Sequence, residues 1–270
     1  MKRLELVVGL VLVVLVVGMA LLSYAWTPFD PTAVLSAPPL QAPGWPHVLG
    51  TDGMGIDILS RILVGARSAI YVGVIAVGLA AVVGVPLGLL TAQLPRPLAE
   101  VVLRATDIAY AFPALLLAIL FAAAFGGSTE TAMAAIGIAS IPAFLRVSRA
   151  GALSVLASDF VLAARSCGTP RLAITGRHVL PNIAPLIGVQ ASVTFALAIL
   201  AEAALSYLGL GTPPTTPSWG RMLMDAQTYL FNAPLQALWP GLAIAVAVLG
   251  FNLVGDGLRD FLDPRLRDVA

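Results

Sequence analysis

Charge is scarce in this chain. Asp, Glu, Lys and Arg together make up 11% of its 270 residues, whereas ordinary soluble domains carry about 25%. Hydrophobic residues make up 59%, and the mean hydropathy is +0.95. A soluble fold of this length could bury a core, but it could not cover its surface with so few charges. The composition therefore predicts an integral membrane protein.

Residues with common catalytic or metal-binding chemistry are equally scarce. The single cysteine, Cys167, excludes a disulfide within the chain and any multi-cysteine metal site. The single lysine, Lys2, excludes a GxxxxGK[ST] loop, so this chain does not bind ATP through that device. The only histidines, His47 and His178, lie outside the apolar runs, and no HExxH pattern or membrane-embedded Ser-His pair is available. There is also no basic run that would suit nucleic acid.

Six apolar runs approach the length of a membrane-spanning helix, about 20 residues. They cover residues 4–25, 68–94, 108–125, 131–147, 182–208 and 237–254. Pro113 and Pro142 fall inside the third and fourth runs, which membrane helices tolerate when neighbours satisfy the freed carbonyls. The sequence predicts an all-α, polytopic membrane protein with six transmembrane helices.

The distribution of arginine and lysine predicts the orientation. With the N-terminus in the cytoplasm, twelve of these residues lie inside and three, Arg61, Arg67 and Arg221, lie outside. Cytoplasmic loops carry the excess of positive charge, so both termini are expected in the cytoplasm. The first run also permits another interpretation, because Lys2-Arg3 before an apolar stretch is how a cleaved signal peptide begins. The stretch is longer than the usual h-region of about 7–15 residues, which favours a retained helix.

A long external segment, residues 26–67, follows the first run. It begins proline-rich, which favours extended structure, and its second half reads HVLGTDGMGIDILSRILVGAR. Apolar residues recur there at helical spacing from Ile56 to Ala66, so we expect a short amphipathic helix on the outer membrane surface. Its charged residues, interpreted as serving folding and subunit contact, are Asp52, Asp57, Arg61 and Arg67.

A polar interruption from Arg146 to Pro181 separates the fourth and fifth runs on the arginine-rich side. It contains two adjacent alanines, a glycine four residues after the second, and a Leu-Pro pair that opens the next apolar run. This spacing resembles the cytoplasmic coupling segment of ABC-transporter permeases, in which the pattern is Glu-Ala-Ala, three residues, Gly, nine residues, Ile, one residue, Leu-Pro. Leu162 stands in the Glu position and His178 in the Ile position, as in the peptide-transporting branch of that family. The matching and flanking residues are Ala163, Ala164, Arg165, Gly168, His178, Leu180 and Pro181.

The resemblance extends over roughly residues 47–267. The stretches GTDGMGIDILSRILVGAR, SYLGLGTPPTTPSWGRML and FNLVGDGLRDFLDPRLR are similar to those of the smaller permease subunits, of the dipeptide permease C type, in dipeptide, oligopeptide and nickel importers. The resemblance implies a type I ABC importer permease fold. The sequence as a whole predicts a first transmembrane helix (1–25), an external Pro-rich loop and amphipathic helix (26–67), and a core permease domain (68–270) with its coupling segment at 148–181.

Partners and localisation also follow from the resemblance. It implies a non-catalytic, multi-pass subunit of the cytoplasmic membrane, working with a second homologous permease subunit, two ATP-binding subunits and an external solute-binding protein. No cofactor or metal is expected in this chain, because ATP and Mg²⁺ would be bound by the partner subunits. The implied function is import of di- or oligopeptides, with nickel or a nickel chelate as the alternative cargo.

Ionisable residues within the spans are candidates for function, because they are costly in hydrocarbon. Glu202, in the outer third of the fifth span, is the candidate pathway residue, and pairing with the partner permease is its alternative role. Arg104 and Asp107 are interpreted as an i,i+3 surface pair. The run Gly255-Asp256-Gly257 loosely resembles an intramembrane aspartyl protease motif, a far weaker alternative than transport.

Overall fold

The computed structural model describes residues 2–262, which form a bundle of helices joined by loops. Five helices are long and apolar enough to cross a membrane, and a sixth span results if one bent pair is counted together. The helices are α1 Lys2–Ala25, α2 Ile58–Thr91, α3 Arg96–Ala111, α4 Ala114–Phe125, α5 Thr129–Leu156, α6 Asp159–Ser166, α7 Arg171–Ile174, α8 Leu180–Tyr207, α9 Trp219–Ala226 and α10 Leu235–Leu262. Asp263, Pro264, Arg265 and Arg267, which contributed to the family resemblance or the charge count, lie outside the described residues.

The first and last helices pack along each other through glycines. A Cβ atom added at Gly9 would lie 2.7 Å from the Val254 nitrogen, and one at Gly257 would lie 2.6 Å from the Leu6 Cβ. Small residues allow such close approach, which drives helix association in lipid. Gly257 therefore serves the packing of α1 on α10, which accounts for this glycine without a protease motif, and Asp256 beside it is exposed.

Helix α2 is longer than the sequence predicts. The expected amphipathic surface helix and the second span form one continuous helix of 34 residues, capped by the Asp57 carboxylate, which accepts a hydrogen bond from the Ser60 backbone N–H. Its first turns are covered by α9: the Trp219 indole donates to the Ile62 carbonyl over 3.0 Å, and a Cβ at Gly65 would lie 2.7 Å from Trp219. The surface-helix prediction is corrected because protein covers its polar face.

The third predicted span is broken. Helices α3 and α4 meet at an angle of 80°. Pro113 has no backbone N–H and forces the preceding residue out of the helical region, and Phe112 accordingly takes φ −77° and ψ 124°. The apolar half of this span is α4, whereas α3 carries most of the polar residues.

The fourth and fifth spans are extended at the ends that face the polar interruption, which we call their inner ends. Helix α5 continues to Leu156, well beyond the predicted end at residue 147. Helix α8 is preceded by α7 and a π-helical turn, Thr175–Val179, so that an almost continuous helical stretch runs from Arg171 to Tyr207. The polar interruption is thus largely helical and continues directly from both spans.

The proline-rich segment forms a cap at the opposite end of the bundle, which we call the outer cap and define as residues 26–57. Two of its stretches lie side by side, because Leu35 N–H donates to the Met54 carbonyl over 2.8 Å and Leu40 N–H donates to the Asp52 carbonyl over 3.0 Å. Gly50, at φ +84°, allows the turn between them, and a Cβ there would lie 2.3 Å from the Gln41 carbonyl oxygen. The cap therefore has a defined fold despite its lack of helix.

Replacing Gly9 by leucine tests the packing of α1 on α10. We expect Gly9→Leu to lower the thermal unfolding midpoint of the purified complex, because overpacking costs about 1–3 kcal/mol. Gly18→Leu is the matched control, since nothing lies within 4 Å of a Cβ at that position. Equal midpoints for the two variants, or a mature chain whose mass begins near residue 26, would contradict a retained, packed α1.

Candidate functional site

A cavity of about 790 Å³ lies between the α3–α4 corner, α5 and α8. We call it the transport cavity. Helix α5 contributes the wall from Ile136 to Ala143, and α8 contributes the wall from Gln190 to Ala204. The bend at Pro113 brings the α3–α4 corner against the same space. The lining residues are Tyr110, Phe112, Pro113, Ala114, Leu115, Ile136, Ala139, Ser140, Ala143, Gln190, Val193, Thr194, Leu197, Leu200, Ala201 and Ala204.

The wall of the transport cavity is apolar with a few neutral polar groups. Gln190 donates through Nε2 to the Thr194 hydroxyl over 3.0 Å, and Ser140 donates to the Ile136 carbonyl over 2.8 Å. The Tyr110 ring lies at the α3 end. Among the lining residues that the structure describes, none is Asp, Glu, Lys, Arg or His. Such a wall offers hydrogen bonds without fixed charge, and sequence reasoning missed it because neutral residues carry no motif.

An ion pair ties α3 to α5 beside this cavity. Arg146 donates through Nη2 to Asp107 over 2.6 Å, and its guanidinium carbon lies 4.5 Å from the centre of the Tyr110 ring. The predicted pairing of Asp107 with Arg104 is therefore wrong, because α5 brings a partner from a distant part of the sequence. Both side chains of the pair are substantially exposed, so the pair contributes at most about 1 kcal/mol.

The first half of the coupling segment is α6 with the turn that follows it. Ser158 occupies the N-cap position, and Asp159 lies in the first turn. Ala163 and its neighbour Ala164 lie on α6. Gly168 ends the helix at φ +77°, a left-handed conformation that suits glycine, and nothing lies within 4 Å of a Cβ built there. The backbone of this turn is therefore accessible to another protein that approaches it closely.

The second half of the coupling segment leads into α8. His178 lies in the π-helical turn, its ring centre is 6.1 Å from that of Phe160 on α6, and its carbonyl accepts from the Asn182 side chain over 2.7 Å. Leu180 and Pro181 open α8, where a proline is tolerated because the first N–H groups of a helix lack partners within it. Local turns of π-helix are often found at functional sites.

Buried residues fix the coupling segment to the inner ends of the spans. Val161 and Val179 are fully buried, and Ile174 is 2% exposed. They belong to one apolar cluster with residues of α2, α5 and α8. On the other side, Leu162 is 48% exposed and Leu172 is 88% exposed. The segment is therefore anchored on one face and presents apolar side chains on the other.

Glu202 lies outside the transport cavity. It is 2% exposed, and its Oε1 accepts hydrogen bonds from the Ser206 hydroxyl over 2.7 Å and from the Thr212 hydroxyl over 2.9 Å. The Ser206 hydroxyl in turn accepts from the Thr212 N–H over 2.9 Å. Its predicted roles in the pathway or across a subunit boundary stay predictions, and within its own chain the carboxylate binds the loop that follows α8.

The charged residues of the external segment hold the outer cap together. Arg61 is 5% exposed and bridges Asp52 and Asp225, the latter over 3.0 Å. Asp57 caps α2 and pairs with Nδ1 of His47 over 3.0 Å.

Arg67 binds Ser23 at the outer end of α1 and lies 3.9 Å over the Tyr24 ring. Together with the Arg61 and Asp57 contacts, this interaction joins the outer cap to the ends of α1 and α2, and the role of these charges in folding and subunit contact stays a prediction. Sequence reasoning missed Asp225 as a partner of Arg61 and His47 as a partner of Asp57, because neither residue lies within the helical spacing pattern of residues 56–66.

Comparison with known proteins places this architecture in a family. The model of the family described as binding-protein-dependent transport system inner membrane component matches residues 84–268. A dipeptide transport system permease protein of Alkalihalophilus pseudofirmus is 43% identical over 229 residues, which are 84% of this chain and 75% of that protein. The dipeptide transport system permease protein of Escherichia coli K12 is 41% identical over 268 residues, 97% of this chain and 89% of that protein.

Two further similarities bear on the assignment. The di/tripeptide transport system permease protein of Pseudomonas aeruginosa is 41% identical over 269 residues, 97% of this chain and 88% of that protein. Among solved structures, a chain of the MetNI methionine ABC transporter in an inward-facing conformation aligns with a TM-score of 0.64 at 15% identity, covering 76% of this chain and 98% of that chain. That likeness shows the fold alone, and it confirms the type I ABC importer permease fold implied by the sequence.

The described architecture consists of long apolar helices, a cavity between them and a helical segment anchored to their inner ends. With the family model matching about two thirds of the chain and relatives over 40% identical along nearly its whole length, the chain belongs to the family of binding-protein-dependent transport system inner membrane components.

Proposed function

We propose that this chain is one permease subunit of an ATP-driven importer that carries di- or oligopeptides into the cell. The observation that carries the proposal is continuity: α5 and α8 both line the transport cavity, and both run directly into the coupling segment. A displacement of that segment is therefore transmitted along two walls of the cavity. Rigid helices with packed contacts are suited to such transmission.

The partners follow from what the chain lacks and what its surfaces offer. ATP would be bound and hydrolysed by other subunits, because the sequence of this chain has no phosphate-binding loop. Two ATP-binding subunits, holding ATP and Mg²⁺, would dock on the coupling segments of this chain and of a second, homologous permease. A solute-binding protein would deliver cargo to the outer side. The excess of arginine on the coupling-segment side supports cytoplasmic termini and a cytoplasmic coupling segment.

Two observations favour peptides as the cargo: the names of the relatives and the chemistry of the transport cavity. Those reported above are named for transport of dipeptides or di- and tripeptides. Hydroxyl and amide groups such as Ser140 and Gln190 can exchange hydrogen bonds with a peptide backbone without selecting its side chains. Nickel, the alternative cargo from the sequence, prefers nitrogen and sulfur ligands, and among the described residues no group of His, Cys, Asp or Glu could hold a metal.

The mechanism we infer is alternation of access. Closure of the ATP-binding pair moves the coupling segment, α5 and α8 tilt with it, and the cavity opens to the outer side. Return of the segment after hydrolysis opens the cavity to the cytoplasm. Each state requires that binding of ATP favours one arrangement over the other, since a ligand shifts an equilibrium only by its differential affinity.

Reconstitution of the whole complex tests the proposal. We expect vesicles containing both permeases and both ATP-binding subunits to accumulate a labelled dipeptide only with ATP and the solute-binding protein present. Unlabelled tripeptide should compete, whereas nickel should not. Accumulation of nickel without that of peptide, or uptake that needs no ATP, would contradict the assignment.

The open turn at Gly168 generates a prediction about docking. Gly168→Trp should weaken binding of the ATP-binding subunit about tenfold or more, since a clash worth 1.4 kcal/mol already has that effect. Gly168→Asn is the matched control, because asparagine tolerates the left-handed conformation and adds little volume. Binding is measured by co-purification and by titration of the detergent-solubilised permease pair. An active complex carrying tryptophan at this position would overturn the docking role.

The hydrogen bonds of Glu202 generate a prediction that separates packing from charge. Glu202→Gln keeps an acceptor for Ser206 and Thr212, so we expect uptake and thermal stability near those of the unchanged protein. Glu202→Leu leaves both hydroxyls without that acceptor, and a buried unsatisfied group costs about 1–3 kcal/mol, so its unfolding midpoint should fall. Loss of uptake in the glutamine variant with unchanged stability would instead restore the pathway role.

A further inference from the structure

A second cavity, which we call the cytoplasmic cleft, opens beside the coupling segment. It has a volume of about 610 Å³ and lies between the inner ends of α2 and α5 and the turn that joins α6 to α7. It is separate from the transport cavity, with which it shares no lining residue. The lining residues are Ala92, Gln93, Leu153, Leu156, Ala157, Arg165, Gly168, Thr169, Arg171 and Ile174.

The charge of the cytoplasmic cleft is positive. Arg165 lies in the last turn of α6 and Arg171 at the start of α7, and both are exposed. Among the lining residues that the structure describes, none is acidic. The whole segment 148–181 carries four arginines against one acidic residue, Asp159. Within residues 2–262, the ion pairs formed by arginine involve Arg61, Arg146 and Arg221, and neither arginine of the cleft takes part.

The surface around the cleft also departs from the usual coupling pattern. Leu162 stands where that pattern carries glutamate, so the segment lacks the acidic side chain that a basic partner would meet. Leu162 and Leu172 are both exposed beside the arginines. A partner that complements this surface must bring apolar side chains and negative charge.

We propose that the cytoplasmic cleft receives the carboxylate of an acidic side chain from an ATP-binding subunit, and that Arg165 and Arg171 bind it. The inference rests on the proposed function, because it names the chemistry of the docking partner. A guanidinium binds a carboxylate through two parallel hydrogen bonds, which makes arginine the suitable residue for such a contact. The cleft is continuous with the open turn at Gly168, which lines it.

The position of the cleft gives this contact a mechanical consequence. Its walls come from Gln93, just beyond the end of α2, from Leu156 of α5, and from the coupling segment. Gln93 also donates through Nε2 to the Thr175 hydroxyl over 3.0 Å, which joins the end of α2 to the π-helical turn. A carboxylate held here therefore engages the ends of two spans together with the segment that connects α5 to α8.

The near absence of lysine allows a direct chemical test. Lys2 is the only lysine in the chain, so Arg171→Lys and Arg165→Lys each place a single new amine in the cleft while keeping the charge. The assembled complex of both permeases and both ATP-binding subunits is treated with a water-soluble carbodiimide, which joins an amine to a carboxylate in direct contact. We expect an amide between position 165 or 171 and an Asp or Glu of the ATP-binding subunit, identified by mass spectrometry.

Arg177→Lys is the matched control. Arg177 is exposed in the same segment but does not line the cleft, so we expect a several-fold lower yield of that product. An intact complex in which neither cleft variant forms the product, or in which the amine joins a carboxylate of its own chain, would overturn the inference. An equal yield from position 177 would overturn it as well, because the contact would then not be specific to the cleft.

Charge reversal provides a second, independent measurement. The double variant R165E/R171E should bind the ATP-binding subunit about tenfold or more weakly at low salt, and the difference should shrink as salt rises. Arg177→Glu should have a much smaller effect. Unchanged binding of the ATP-binding subunit by the double variant would overturn the inference. If the double variant instead loses anionic lipid that co-purifies with the unsubstituted complex, while binding of the ATP-binding subunit is unaffected, the cleft belongs to a lipid headgroup and the inference is overturned as well.

The two proposals fail in different ways. If the unsubstituted complex assembles and imports peptide but shows no product from either cleft variant, only the cleft inference falls. If the unsubstituted chains bind no ATP-binding subunit, the proposed function itself is wrong, and with it the inference.

Discussion

Backbone contact between α2 and α5 determines where every other part of the site lies. A Cβ atom at Gly84 would lie 2.7 Å from the Ile141 carbonyl oxygen, and one at Gly88 would lie 2.5 Å from that of Leu145. No side chain separates the two helices at these points, so the two backbones are in direct van der Waals contact there. Because α5 is held in this way, its cavity wall faces α8 on one side and its inner end supports the coupling segment. The glycines of α2 are thus structural requirements for the transport cavity although none of them lines it.

The sequence predicted the elements that depend on local composition. The apolar runs located the spans because hydrocarbon requires about 20 apolar residues whatever surrounds them. The bend in the third span was not predicted, although Pro113 was visible, because a proline can be absorbed in a membrane helix or can break it. The outcome depends on whether neighbouring helices satisfy the freed carbonyls. The periodicity from Ile56 to Ala66 similarly indicated an apolar face but not that Trp219 and Asp225 would cover the polar one.

Only one part of the candidate site, the coupling segment, could be predicted from the sequence, because only that part is marked by a spacing pattern. The coupling segment could be predicted because Ala163, Gly168 and Pro181 match the spacing of a known family. The argument about Glu202 was right that a carboxylate in a span needs a partner, but the partner, Thr212, follows in the next loop, and only the folded chain brings them together. The wall of the transport cavity escaped notice because residues such as Gln190 and Ser140 are common in any membrane helix.

The central claim is that the coupling segment and the transport cavity move together. It is tested most directly by the labelling of a cysteine at Ser140, in a chain whose native Cys167 is replaced by serine. In the assembled complex, we expect the rate of reaction of S140C with a membrane-impermeant thiol reagent to change severalfold when a non-hydrolysable ATP analogue is added. T215C, at an exposed position in the loop between α8 and α9, should react at the same rate in both conditions. A constant rate at position 140 in a complex that binds nucleotide and hydrolyses ATP would contradict the account.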